Sequence, residues 1–332
     1  MAPHGTVDRR HFLAAAAGTL IAAGCRQRPY AASQFVRPPK SAVGIFPVNG
    51  YTEAIGDVMR RGLQATLGDV SGLSGKRVLL KPNMVEFERD TAINTHALVV
   101  AAAADALLAF GAAQVIVGEG PGHRRDVEYL LGVTGLFEHL RDRRLTFVDL
   151  NHDDVAWTPL KTHFTRFAEL ALPASLVSAD LVISMPKLKT HHWAVLTCGM
   201  KNLFGTVPGA VYGWPKNVLH VAGIDNSILD LASTIAPAFT IVDAIVGMEG
   251  DGPIMGTPRP LGALIMGPDV VSVDATCARV MGIDPARVPY LAEAGRFLGH
   301  IAESAIEMRG EPLARFATRF ELPPSVAGAA VG

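Results

Sequence analysis

The sequence predicts an α/β fold of two Rossmann-like lobes with largely parallel sheets and an interlobe cleft. Three observations carry that expectation. From Ser41 onward, short β-branched runs alternate with longer amphipathic stretches, the pattern of parallel strands covered by helices. Each strand-like run is bounded by Gly, Pro or Asn. Polar residues gather just after the runs, where open parallel sheets bind their ligands. With 332 residues, 49% of them apolar, the chain can bury a substantial core.

Taken in order, segments 43–48, 77–81, 114–118, 145–150 and 181–185 read as strands. Segments 52–67, 95–110 and 124–141 read as the helices between them. Thr95 is placed to cap the second helix, and Gly111 to end it. A second α/β segment follows, with a helix over 217–235, strands over 239–242 and 261–266, and a helix over 270–280. The expected organisation is a leader and linker over 1–40, lobes over 41–190 and 191–322, and a flexible tail over 323–332. There is no internal repeat, and the low-complexity stretches are the alanine-rich leader and 99–106.

The leader carries Asp8-Arg9-Arg10-His11-Phe12-Leu13, a twin-arginine pattern, ahead of an apolar run too short to span a bilayer. The expectation is export by the twin-arginine machinery. Ile21-Ala22-Ala23-Gly24-Cys25 resembles a lipobox, so Cys25 is the expected point of any lipid anchor, with a periplasmic or membrane-anchored mature protein. That route carries folded proteins, which suits a chain loaded with a cofactor before export.

With 30 basic against 31 acidic residues there is no net field to attract nucleic acid or an anionic membrane, so the expected partner is a small-molecule substrate. Cys25, Cys198 and Cys277 lack CxxC spacing, so no iron–sulfur cluster or structural zinc site is expected, and a Cys198–Cys277 disulfide is not expected either.

Four strand ends carry chemistry. Lys81-Pro82-Asn83 follows one, making Lys81 and Asn83 ligand-binding candidates, and Glu119-Gly120-Pro121-Gly122-His123 follows another. Asp149-Leu150-Asn151-His152 follows a third. The fourth opens the richest stretch, containing Lys187, Lys189, His191, His192, Gly199, Lys201, Gly205 and Gly209, with His220 eleven residues on. Glycines let backbone approach a ligand, lysines supply charge, and histidines supply metal ligation or proton transfer. Together they suit a phosphate-bearing cofactor.

These segments, with Asp243 and Gly247-Met248-Glu249-Gly250-Asp251-Gly252-Pro253, resemble the motifs of the domain of unknown function family DUF362, over about residues 43–320. Many members add a ferredoxin-like cluster domain, which has no counterpart here. A more distant resemblance is to the nickel-pincer lactate racemase family, which has a histidine ten residues before a lysine in a Gly-rich stretch, then Pro-Gly, then another histidine. His191, Lys201, Pro208-Gly209 and His220 follow that order, given a three-residue insertion before Pro208, and Gly122-His123-Arg124 resembles that family's segment around its other catalytic histidine.

The resemblance implies that Lys201 anchors a nickel-pincer nucleotide, that His220 ligates nickel, and that His123 and His191 exchange the α-proton of a hydroxy acid. It implies a cofactor- or metal-dependent enzyme acting on a small carboxylate by proton or hydride transfer, racemase-like or oxidoreductive. Against it stands a non-catalytic periplasmic ligand- or cofactor-binding protein, whose lysines and glycines hold an anion while the histidines only orient it.

Structural roles stand beside each candidate. His191 and His192 can satisfy backbone groups at a strand end, His123 can be a loop residue introducing a helix, and Glu249 and Asp251 can be a solvated acidic turn or a cation site. Asp274 is expected to stabilise the positive end of a helix, and Cys198 to be a small buried residue.

Overall fold

The computed structural model describes residues 28–123 and 126–331; the twin-arginine pattern, Cys25 and Arg124 fall outside them. The chain begins with β1 (Ser41–Pro47), α1 (Ile55–Leu67), β2 (Arg77–Pro82), α2 (Ala97–Ala109) and β3 (Gln114–Glu119). α3 (Val127–Val133), α4 (Leu136–Arg143), β4 (Thr146–Asp149), β5 (Val155–Pro159), β6 (Glu169–Pro173) and β7 (Leu181–Met185) follow. Next come β8 (Lys187–His191), β9 (Val195–Thr197), α5 (Gly199–Asn202), α6 (Asn217–Val221) and α7 (Ile224–Ile235). The last elements are β10 (Phe239–Glu249), β11 (Thr257–Gly267), α8 (Val270–Val280), α9 (Pro289–Phe297) and β12 (Ile306–Gly310).

Ten strands form one mixed sheet in the order β12-β1-β11-β10-β7-β2-β3-β4, with β8 joining beside β10 and β9 beside β8. Its run from β10 to β4 is parallel, and β11 is antiparallel to both its neighbours. The α/β class and the largely parallel sheet are as the sequence predicts. One ladder joins the segments on either side of residue 190, because β7 pairs with β2 on one edge and β10 on the other.

The strands alternate between two cores, as the two-residue period of a strand requires. Val78, Leu80, Ile241 and Leu264 pack with α1 and α2 on one face; Leu79, Val242 and Ile265 pack with α7, α8 and α9 on the other. α2 buries Val99, Val100, Ala101–Ala104, Ala106 and Leu107, so its small residues let it lie tight against the sheet.

Several expectations are corrected. The helix expected over 124–141 is two helices, α3 and α4, parted at Thr134-Gly135. The one expected over 217–235 is broken between α6 and α7 at Gly223, whose φ of +100° is open to glycine but not to a helical residue. Thr95 does not cap α2. His96 does, its Nδ1 accepting from the Leu98 amide, while Thr95 Oγ1 donates to the Met185 carbonyl. Residues 187–191, read as a strand-end loop, are a strand, and β10 and β11 each extend to eleven residues because they pair along their whole length. The tail expected to be flexible packs back: Ala329 is buried, Ile283 bridges Ala330, and Ser325 Oγ donates to the His192 carbonyl. No helix among the described residues is long and apolar enough to cross a membrane.

Candidate functional site

A cavity of about 610 Å³ opens beyond the carboxyl ends of β2 and β3. Its wall draws Asn83 from the end of β2, Glu119 and His123 from the end of β3, and Lys189 and His191 from β8. Lys201, Asn202, Phe204 and Gly205 come from α5 and the turn after it, with Lys216, His220 and the 251–255 turn closing the ring. His123, His191, Lys201 and His220, separated by as many as 97 residues of chain, therefore face one space. Asn83, Lys189 and Gly205 line it with them.

Lys81 and Lys187 do not line it. Lys81 is fully buried behind it, its ammonium 2.6 Å from Glu119 Oε2 and donating to the Pro82 carbonyl. Glu119 Oε2 also accepts from the Met84 amide and Oε1 from the Gly120 amide, so the pair ties together the loops after β2 and β3. Gly205 lies against this pair: a Cβ there would sit 2.5 Å from Lys81 Nζ, which is why the position has no side chain. Lys187 belongs to a separate buried cluster, donating to Asp243 Oδ2 and to Tyr51 Oη, each at 2.7 Å. Its expected role in holding a ligand is corrected to an internal ion pair, because Asp243, its register partner on β10, takes its ammonium away from the cavity lining.

Lys201 sits on α5, a single turn oriented by Asp274. That carboxylate accepts from the Gly199 amide at 2.8 Å and the Met200 amide at 3.0 Å. Asp274 was expected to stabilise a helix start; it does so, but for α5 and not for its own helix α8, which Asp269 caps. Burial raises the Asp274 pKa to about 7 against the pull of these amides. Cys198 and Cys277 beside it are buried free thiols.

The Lys201 amine is half-buried and lies 4.0 Å from the centre of the Phe204 ring. It makes no hydrogen bond or ion pair with the described residues. Burial, with the positive charge of Lys81 adding to it against Glu119, lowers its pKa to about 7. Lys216 is likewise lowered to about 7, chiefly by burial, but its Nζ donates to the carbonyls of Gly120, Phe204 and Gly205. Lys189 is shifted well down by burial and by the neighbouring Lys201 and Lys187, and donates to the Ile93 carbonyl. Three lysines thus face the cavity without a carboxylate bonded to any of them.

The imidazoles are held in opposite tautomers. His191 Nδ1 accepts from the Trp193 and Ala194 amides at 3.1 and 3.3 Å, so its proton sits on Nε2. His220 Nδ1 lies 3.2 Å from the Lys216 carbonyl, which can only accept, so the proton sits on Nδ1 and the Nε2 lone pair is free. Burial and the charge of Lys201 push both pKa values down, that of His191 much further. His123 is exposed at the edge of the cavity, and its charge contributes to lowering His220.

Two buried acceptors line the same wall without a partner among the described residues, Asn83 Oδ1 and Thr197 Oγ1. Buried polar atoms rarely stay unpaired, so these are positions where a ligand's donors complete the bonding. No group of three or more His, Cys, Asp or Glu among the described residues is arranged to hold a metal ion. Glu249, considered with Asp251 for a cation site, instead pairs with Arg259 and accepts from the Glu321 amide.

Residues 78–279, which include every segment of the cavity wall, match the family described as a domain of unknown function, DUF362. The chain belongs to the DUF362 family. A relative, the thylakoid-associated protein sll1697 of Synechocystis sp., is 35% identical over 227 residues, covering 66% of this chain and 67% of its own. Among solved structures, a lactate racemase apoprotein from Thermoanaerobacterium thermosaccharolyticum overlaps 73% of this chain at 13% identity and a TM-score of 0.46. A Thermotoga maritima protein overlaps 63% at 16% identity and a TM-score of 0.32. This DUF362 chain spans 57% and 54% of those two chains.

Sequence reasoning missed Lys216, Glu119, Asn202, Thr197 and Asp274 as parts of this DUF362 site. Glu119 stood at a recognised strand end, the one signal that pointed to it. Lys216 had none: it adopts a left-handed conformation, φ +70°, rarely taken by a residue with a side chain, and folds its amine back beneath Gly205.

Proposed function

We propose that this protein is an enzyme that binds a small carboxylate in the cavity and moves a hydrogen at the adjacent carbon, with Lys201 anchoring a covalently held cofactor. The observation that carries this reading is the pairing of an unpartnered amine of near-neutral pKa with two imidazoles fixed in complementary tautomers on one wall. At neutral pH about half of such an amine is uncharged and nucleophilic. His220 presents a lone pair that can take a proton, and His191 an N–H that can hold a substrate oxygen by a hydrogen bond. A carboxylate entering beside Lys189 and Lys216 favours their charged forms and is oriented by their N–H groups. His123, at the open edge, is positioned to exchange protons between the cavity and solvent.

The described residues suit nickel only as part of a bound group that would bring most of its own donors, because no three His, Cys, Asp or Glu among them are grouped for a metal, although the Nε2 lone pairs of His220 and His192 are both free on this wall. Such a group supplies a hydride acceptor, which the chain's own side chains do not. The export and lipid-anchor expectations on residues 1–27 remain part of the proposal: a folded, loaded protein outside the cytoplasm.

The test uses protein purified from its own host and incubated with L-lactate. Expected are turnover of L-lactate to D-lactate or pyruvate by chiral chromatography, loss of that turnover in His191→Asn and Lys201→Met, and an intact mass above that of the polypeptide which Lys201→Met abolishes. An unmodified mass together with no turnover overturns the reading.

A further inference from the structure

The cavity's volume of about 610 Å³ is shared between the group anchored on Lys201 and the substrate, so it is the lining that selects the substrate. That lining is divided. Lys189 and Lys216 are buried and Lys201 half-buried, whereas the apolar side chains of Trp193 and Met255 on the same wall are 62% and 74% exposed, with the half-buried Ile254 and Val85 also lining it.

The exposed indole is held in place by imidazoles. Trp193 lies edge-to-face with His192 at 4.7 Å and with His220 at 5.5 Å. Its backbone amide donates to His191 Nδ1, so the same residue fixes that tautomer and forms the rim. Large apolar side chains left in water around a cationic cavity are the complement of a ligand with an acid at one end and an apolar body at the other.

We infer that the substrate is a carboxylate bearing an apolar group of about ring size, whose acid faces the lysines and whose ring covers Trp193 and Met255. This rests on the proposed reading of the cavity as a carboxylate site and names the class of acid it selects. Because Trp193 touches His220 directly, a ring seated on it also brings the carbon between ring and carboxylate to the end of the cavity where the two imidazoles stand.

The experiment measures affinity of the protein from its own host for mandelate and for lactate, which share a 2-hydroxy acid group and differ by phenyl against methyl. Titration calorimetry supplies both constants. The expected result is mandelate bound at least tenfold more tightly than lactate, with the ratio falling to about one in Trp193→Ala. Met255→Ala is expected to lower the ratio by a smaller factor. Circular dichroism checks that each variant keeps its fold, which exposed side chains allow. Equal affinity for the two acids, or a ratio unchanged in Trp193→Ala, overturns the inference while leaving a lactate-binding cavity and the proposed function standing. If neither acid binds and neither is turned over, the carboxylate reading fails and this inference with it.

Discussion

Lys201 offers the sharpest test of the site, because its chemistry differs from that of every exposed lysine. Its pKa is lowered to about 7 from the ordinary 10.5, so at pH 7 about half of the amine is free, against roughly one part in 3,000 for a solvated lysine. A less basic amine is also a weaker nucleophile. If the slope for amines is near the 0.4–0.5 known for thiols, that removes about 1.4–1.75 of the roughly 3.2 logarithmic units and leaves an advantage of about thirtyfold to sixtyfold. Access through the cavity reduces this, so a tenfold excess of labelling is expected. The assay is a brief pulse of limiting acetylating reagent at pH 7 on cofactor-free protein, verified by its unmodified intact mass, with site-by-site quantification by peptide mass spectrometry against exposed Lys40, Lys76 and Lys161. Lys201 labelling should level off above about pH 8, whereas the exposed lysines should become faster up to pH 10. Lys216, whose ammonium is enclosed by three carbonyls, should remain slow. Labelling of Lys201 no faster than the exposed set, or rising in parallel with it, refutes the assignment of an uncharged amine.

Other expectations follow from the same geometry. Asp274 holds its proton up to about pH 7 in the folded state and releases it near 3.8 when unfolded, so the native state binds the extra proton between those values and its stability falls as pH rises through that window. Denaturant titrations from pH 4.5 to 6.5 should show Asp274→Asn losing a slope of up to about 1.4 kcal/mol per pH unit, and parallel curves for the two proteins would contradict this. Gly205→Ala forces a methyl group into the Lys81–Glu119 pair and should destabilise the protein by about 2–4 kcal/mol in thermal or chemical unfolding. Lys187→Met strands the buried Asp243 carboxylate and should cost about 3–5 kcal/mol of stability, while ligand affinity per folded molecule stays within about twofold. A large loss of affinity there would return Lys187 to the site.

The division between the lysines shows how far the sequence could be read. Lys81, Lys187, Lys189 and Lys201 were equivalent as letters, each at or beyond the end of a predicted strand. Their roles separated only when the backbone was in place: Lys81 and Lys187 found carboxylates, and Lys189 and Lys201 face the cavity. Asp274 shows the same limit. Its residue type and helical setting told that it would meet free amides, but the amides it meets belong to α5, about 75 residues away in the chain.

Local pattern alone determined the α/β class, the parallel strands, most of their positions, and the glycine- and histidine-rich stretch that forms much of the cavity. Those are consequences of hydrophobic period and of φ preference, which act within a few residues and are therefore written in neighbouring letters. Tertiary structure alone decided which charges are paired, which nitrogen of each imidazole carries the proton, and that His123, His191, Lys201 and His220 share one space. Burial, desolvation and hydrogen bonding depend on groups brought together by the sheet order, and the sheet order is a property of the whole chain.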